Sequence, residues 1–517
     1  MLKSANRFLG AYNLSEEPQG RIICADHVVA FGTVYRDARW AASGLSTAGL
    51  GRGSTLAIML RNEAAFFAAT LAASMIEAVA TAINWHYTGD EATYLLRDSG
   101  ATAWIVHADI WRRIGADIPD DVLRGLTVLV VETPPGIAKA FGITDAEAQV
   151  PQGMANWANW LGQHPEWDGP PPQPQAAMIY TSGTTGQPKG VRRLGSVGIT
   201  TSGNHNAFVK GAHTLIVAPM YHSAPNRNAM SAFFTGGDII LQPRFEAEET
   251  LALIAGHQIT HAFVVPTIFV RLLKLPDAVR SRYDVSSLTH VVHAGAPCPA
   301  DIKGAMINWW GPVIYEYYGG TETGVVTYCS PREALAHPGT VGCAVPNATV
   351  KVFDENGTEC PSGVEGEIFV RLHTYPDFTY QGLPEERAAI EHEGLITCGD
   401  VGYLDADGYL FLTDRKKDMI IAGGVNIYPA QIEAALIQHP VILDCAVFGL
   451  PDADMGERVV AAVQLRPGDD LSLAEVRDFL QKSIAGYAIP RDLHVMTTLP
   501  RDASGKMFKR KLRDLFG

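Results

Sequence analysis

The stretch AAMIYTSGTTGQPKG, residues 176–190, decides the fold. Its first half, AAMIYT, is a short apolar run of strand type, and its second half gives way to hydroxyls, glycines and one lysine. Thr181, Ser182, Thr184 and Thr185 offer O–H donors, and Lys189 supplies a compact positive charge. Gly183, Gly186 and Gly190 let backbone N–H groups approach phosphate oxygens closely. The loop is not of the Walker type, because Pro188 stands where that motif places the glycine before its lysine. On composition alone a polar surface turn is an equal reading, so the surroundings must decide.

Outward from this loop, apolar runs recur through residues 55–295: TLAIML from Thr55, AWIVHA from Ala103, LTVLVVE from Leu126, TLIVAPM from Thr214, GDIILQ from Gly237, HAFVVP from His261 and HVVHAG from His290. Helical patterns lie between them, including residues 62–78, with Asn62 as the expected cap, and residues 90–99. Buried strands alternating with helices imply βαβ units and a largely parallel sheet. Beyond residue 330 the texture changes. GTVGCAV, ATVKVFD and GEIFVR are separated by Gly, Pro and Asn-Gly turns, which predicts antiparallel strands, and GYLDADGYLFL alternates around Asp407-Gly408 as a hairpin does. After the charged cluster DRKKD, residues 414–418, comes a compact α+β pattern with a helix from Pro429 and another over residues 472–484.

A chain of 517 residues exceeds one ordinary core and should divide into at least two domains. Hydrophobic residues make up 47% and charged residues 19%, a globular composition. The net charge of -14 argues against a general nucleic-acid binder but says little about small anions, whose sites are local. Seven scattered cysteines without CxxC spacing point to reduced thiols in a cytoplasmic protein, with no disulfide framework or zinc site. The start, MLKSANRFLG, lacks the apolar run of a signal peptide. No membrane span is expected, since no apolar stretch reaches roughly 18 residues; the Ala-rich segment 63–79, broken by Glu63, Ser74 and Glu77, reads as a buried helix.

The ordered string YTSGTTGxPKG resembles the phosphate-loop signature of the acyl-adenylate-forming superfamily, which contains acyl- and aryl-CoA synthetases, peptide-synthetase adenylation domains and luciferases. EYYGGTETG (316–324), CGDVGYLDADGYL (398–410), DRKKDMIIAGGVNIYP (414–429) and RDASGKMFKRKLR (501–513) resemble that family's later motifs, in the right order. The resemblance implies an α/β fold: a large N-terminal domain, residues 1–413, of parallel-sheet αβ subdomains plus a β-barrel-like subdomain. A hinge at 414–418 and a small mobile α+β domain at 419–517 would follow.

The resemblance also implies roles. Thr181, Ser182, Gly183, Thr184, Thr185, Gly186 and Lys189 would hold ATP phosphates. Tyr318 would stack on adenine, Gly319 would bind the nucleotide, Thr321 would contact the α-phosphate, and Asp400 would accept from both ribose hydroxyls, with Arg415 on the same nucleotide. Glu322 would hold Mg2+, as suits a hard cation that prefers one carboxylate plus substrate phosphates. Lys506 would reach the forming acyl phosphate, a cation placed where charge develops. Thr181, Glu322, Lys506 and His222 form the expected catalytic set, His222 as a pocket-flanking residue and not a general base. Lys417 would mark the hinge, and the backbone at Ala422, Gly423 and Gly424 would line a coenzyme A channel. Lys509, Arg510, Lys511 and Arg513 read as a solvated basic face.

His222, Ala294, Gly295, Ala296, Pro297, Gly319 and Gly320 would line the acyl pocket. Small lining leaves volume for a bulky hydrophobic acid: aryl-propenoic, medium- or long-chain fatty, or steroid-type. NWHYTGDE (84–91) resembles ligases for such acids. Pro225-Asn226-Arg227 and Leu395 depart from the pattern, which leaves the pocket wall open. The reading is an AMP-forming acid–CoA ligase that uses ATP, Mg2+ and coenzyme A, with a homodimer compatible. An acyl-AMP ligase loading a carrier protein, or a dead nucleotide-binding scaffold, stays open as an alternative.

Overall fold

Strand Met178–Ser182, which carries the start of the deciding stretch, sits inside a seven-stranded sheet. The computed structural model describes residues 19–170, 173, 175–182, 187–195, 209–422, 425–501, 505 and 507–517, without the side chain of Ser182. Gly183, Thr184, Thr185, Gly186, Gly423, Gly424 and Lys506 therefore lie outside the described residues. The chain forms two compact units: Met1–Val264 with Arg280–Val292 and His373–Ala389, and Val265–Val279 with His293–Leu372 and Ile390–Gly517.

In the first unit, Met178–Ser182, Val79–Ala82, Thr55–Met59, Ala101–His107 and Thr127–Val131 run parallel in that order. Pro188–Arg193 and Phe378–Tyr380 add an antiparallel edge. Helix Ala64–Met75 is apolar all round and buries Phe66, Phe67, Leu71 and Met75, the signature of a core helix. A second parallel set joins His261–Val264, Thr214–Ile216, Ile239–Leu241 and Arg21–Cys24. The parallel α/β expectation is met.

Two expectations give way to tertiary contacts. The helix predicted over 62–78 begins only at Ala64, and Asn62 is not its cap. The Asn62 side chain instead donates to the Ala218 carbonyl at 2.9 Å and accepts from the Met220 N–H at 2.8 Å. The predicted strand TLIVAPM stops at Ile216, two residues before the first of these contacts. Helix Gly89–Asp98 starts beside its prediction, with a capping box between Thr88 and Glu91.

In the second unit the strands are antiparallel, in the order Ala348–Phe353, Gly366–Leu372, Leu395–Leu404, Tyr409–Arg415, Thr340–Ala344, Gly324–Cys329 and Ile314–Gly320. The sheet curls around Val326, Val341, Val352, Ile368, Val370 and Leu410, giving a barrel-like core. Residues beyond 419 build a separate sheet from Val425–Ile427, Ile420–Ala422, Gly456–Leu465, Ile442–Asp452 and Asp492–Met496. Helices Pro429–Leu436 and Leu473–Leu480 cover it, the latter closing four residues before the predicted end at 484. Among the described residues no helix is long and apolar enough to cross a membrane.

Candidate nucleotide- and acid-binding site

The hairpin that carries Glu316–Gly324 owes its shape to two small residues and one hydroxyl. A Cβ on Gly319 would overlap the Gly324 carbonyl oxygen, so no other residue fits there. Thr323, which sequence reasoning passed over, accepts from the Gly320 N–H at 2.8 Å and donates to the Gly324 carbonyl at 3.0 Å. Thr321 and Glu322 are thereby left half-buried at the turn.

Asp400 enters from strand Leu395–Leu404, where its register partner is Arg415. Tyr318 donates its hydroxyl to one Asp400 oxygen at 2.8 Å, and Arg415 Nε donates to the other at 3.1 Å. Burial and the facing carboxylate push the Tyr318 phenol well above its ordinary range, so it stays a donor. A carboxylate offers about four acceptor positions, and among the described residues one hydrogen bond per oxygen is taken here, which leaves capacity for a vicinal diol. Tyr318, Asp400 and Arg415, distant in sequence, thus form one cluster beside Gly319 and Gly320.

The acid-pocket turn starts after strand His290–His293. Gly295 is exposed, holds φ at 87°, and among the described residues has only Val265 near its missing side chain. Ala294 is buried, Ala296 half-buried and Pro297 exposed. Two residues beyond Val265, Thr267 packs against Gly505, the neighbour of Lys506. Arg501 fixes the base of that segment: it donates to the Gly505 carbonyl at 2.7 Å and grips Asp444 with 2.7 and 2.8 Å bonds.

In the first unit, the rim of the phosphate loop is braced from both sides. Tyr180 donates to Asp98 at 2.6 Å, and Tyr94 donates to the Pro188 carbonyl at 3.1 Å. Lys189 is ion-paired with Glu386, and its ammonium lies 5.3 Å from the Tyr380 ring centre. Thr181 is half-buried at the end of its strand. His222 caps helix Ser223–Thr235 by position, with its ring 4.4 Å from Tyr221. Asn226 donates to the Met220 carbonyl at 2.9 Å, and the departure at Pro225-Asn226 falls in the first turn of helix Ser223–Thr235. Trp85, from NWHYTGDE, meets Tyr221 edge-on at 6.4 Å.

With this geometry in hand, the comparisons are direct. A family profile described as AMP-binding enzyme matches residues 13–374, and one described as AMP-binding enzyme C-terminal domain matches residues 431–506. The chain belongs to the AMP-binding enzyme family. Within it, the chain groups with acyl- and aryl-CoA synthetases. YngI of Bacillus subtilis (strain 168), a protein named as an acyl-CoA synthetase, is 32% identical over 92% of this chain and 90% of its own. The fatty acid–acyl-carrier-protein ligase ScoC of Streptomyces coeruleorubidus is 28% identical over 96% of this chain and 93% of its own. The ATP-bound crystal structure of MatB from Rhodopseudomonas palustris aligns with a TM-score of 0.80 at 26% identity, covering 97% of this chain and 96% of that one.

The remaining expected residues of this AMP-binding enzyme sit at the start of the C-terminal sheet. Lys417 is exposed, while its neighbours are tied: Asp414 accepts from the Ala430 N–H at 2.8 Å, Lys416 pairs with Glu367 at 2.7 Å, and Asp418 with Arg513 at 3.6 Å. Ala422 is buried, and Ile421 and Val425 beside it expose apolar side chains. The solvated basic face needs correction at one position. Lys509 is largely buried and pairs with Glu433 at 2.8 Å, because helix Lys509–Phe516 packs onto strand Ile442–Asp452.

Proposed function

We propose that this AMP-binding enzyme is an acid–CoA ligase for a bulky hydrophobic carboxylic acid. The observation that carries the reading is the Tyr318–Asp400–Arg415 cluster, whose carboxylate keeps acceptor capacity suited to a ribose diol. In the first step a carboxylate oxygen bonds to the α-phosphorus of ATP and pyrophosphate leaves with its bonding pair. In the second, the CoA sulfur bonds to the acyl carbon, AMP leaves, and the thiol proton passes to solvent. Positioning and electrostatics carry both steps, with no covalent protein intermediate.

Each residue has a defined task in this scheme. Lys189 and Thr181 meet phosphate oxygens, Tyr318 presents its face to adenine, and Thr321 contacts the α-phosphate. Lys506 offsets charge on the forming acyl phosphate. Glu322 suits Mg2+, because one carboxylate completed by phosphates and water is that ion's usual arrangement; among the described residues no three His, Cys, Asp or Glu gather into a metal-holding group of their own. Bound there, the ion would neutralise phosphate charge. Rotation about Lys417 would exchange the Lys506 segment for the Ala422–Gly424 segment, which then receives the pantetheine arm.

The acid assignment is supported in the second unit by the open, small-residue turn at Gly295 and Ala296 and, separately, in the first unit by the aromatic link from Trp85 to Tyr221 and His222. Pyrophosphate release across fatty, cinnamic, benzoic and steroidal acids tests it; strong preference for acetate would overturn it. The ScoC relative supports a second reading, transfer to a carrier protein. Thioester formation with free CoA, set against formation with a carrier protein, separates the two.

A further inference from the structure

Behind the nucleotide cluster lies a buried group of charges that the reaction scheme leaves unused. Lys303 and Glu316 each expose only 3% of their side chains and are ion-paired. His293 is fully buried beside them, with Nδ1 3.7 Å from Glu316 Oε1, and neither ring nitrogen has a hydrogen-bond partner among the described residues. Burial, reinforced by the Lys303 charge, keeps that imidazole neutral.

The placement of these residues is specific. His293 is the last residue before the acid-pocket turn, and Lys303 lies on helix Ala300–Trp310 directly after it. Glu316 precedes Tyr318 by two positions on strand Ile314–Gly320, so the two share a face. The Lys303 ammonium also donates to the Thr340 carbonyl at 2.9 Å. Thr340 in turn donates its hydroxyl at 2.8 Å to Leu410, on the strand that carries Arg415. One ammonium therefore joins the acid turn, the Tyr318 strand and the Arg415 strand.

Stability does not account for such a pair. Taking both charges out of water is costly, and well-packed apolar residues in their place are often neutral or stabilising. We propose that the Lys303–Glu316 pair, with His293 beside it, is a positioning device that holds the acid-pocket turn in register with the adenine and ribose residues. The acid half of this inference rests on the proposed function, whereas the nucleotide half needs only the AMP-binding family.

The test is the double variant Lys303→Met/Glu316→Leu, compared with Lys303→Met alone. Removing one charge strands the other, so the single variant should melt about 10 °C lower. The double variant should melt within about 3 °C of the unaltered enzyme, yet bind Mg-ATP at least about tenfold more weakly by calorimetry and show a similar rise in KM for the acid. Unaltered ATP affinity and KM in the double variant would overturn the inference, since a purely structural pair would be replaced without loss. If the double variant does not purify, Glu316→Gln keeps the volume and an acceptor for Lys303. It should raise both constants at least about threefold, and unchanged constants would overturn the proposal. Unaltered enzyme that binds ATP but activates no acid would instead refute the proposed function and leave the ATP half standing.

Discussion

Asp400 and Lys189, one in each compact unit, are the two oppositely charged residues proposed for nucleotide binding, and each unit holds its charge differently. Asp400 is held on both oxygens, by Tyr318 and Arg415, but retains acceptor positions on each. Its geometry is set by those two bonds, and a ribose bound as proposed would only add to it. Lys189 is paired with Glu386 on the neighbouring helix Pro384–Ala388, and a phosphate bound as proposed would compete for that charge. The first arrangement favours preorganised recognition, the second an exchange of ion pairs. A fixed acceptor gives affinity, whereas a cation that is neutralised at rest and released on binding limits the cost of holding charge near a partly buried loop.

The largest expected effect concerns a cation that neither arrangement supplies. Lys506→Ala should lower the adenylation rate about 10²–10³-fold while leaving thioester formation from supplied acyl-AMP within about threefold. Equal loss in both half-reactions would remove Lys506 from its assigned step. Next comes the fixed acceptor: Asp400→Ala should raise KM for ATP about 10–100-fold, and Asp400→Asn should do less because it still accepts from Tyr318. If Ala and Asn behave alike, the preorganised cluster is not what binds ribose.

Smaller effects test the supports. Asn62→Ala deletes two hydrogen bonds to the segment before His222 and should raise KM for the acid about fivefold, with little change for ATP. A rise confined to ATP would break the link between that segment and the acid. The smallest change is expected for Glu386→Gln. It removes the Glu386 charge beside Lys189 and should tighten ATP binding about two- to threefold in a titration at low salt. Weaker binding would mean that Glu386 orients Lys189 instead of competing for it.

What could be read in the sequence follows from how far apart the partners lie. The deciding strand, the parallel sheet and the hairpin at Asp407-Gly408 are local patterns, and each is present in the fold. Tyr318, Asp400 and Arg415 were legible because each stands in an ordered motif, although their mutual hydrogen bonds were not. Asn62 was misread because an Asn ahead of an apolar run satisfies every local rule for a cap, while its true partners, Ala218 and Met220, belong to a distant strand end. Lys509 looked solvated inside a basic run until Glu433 appeared beside it. Glu316, Thr323 and Arg501 stand inside ordered motifs yet received no role, and Lys303 stands in none, because each acts through a contact that only the folded chain creates.

The central claim is that the chain activates a carboxylic acid by adenylation. Isotope exchange from labelled pyrophosphate into ATP, run without CoA across fatty, cinnamic, benzoic and steroidal acids, tests it most directly. Exchange should appear only with Mg2+ and an acid present, be strongest with a bulky hydrophobic acid, and fall about 10²–10³-fold in Lys506→Ala. Enzyme that binds Mg-ATP yet shows no acid-dependent exchange with any of these acids would contradict the account.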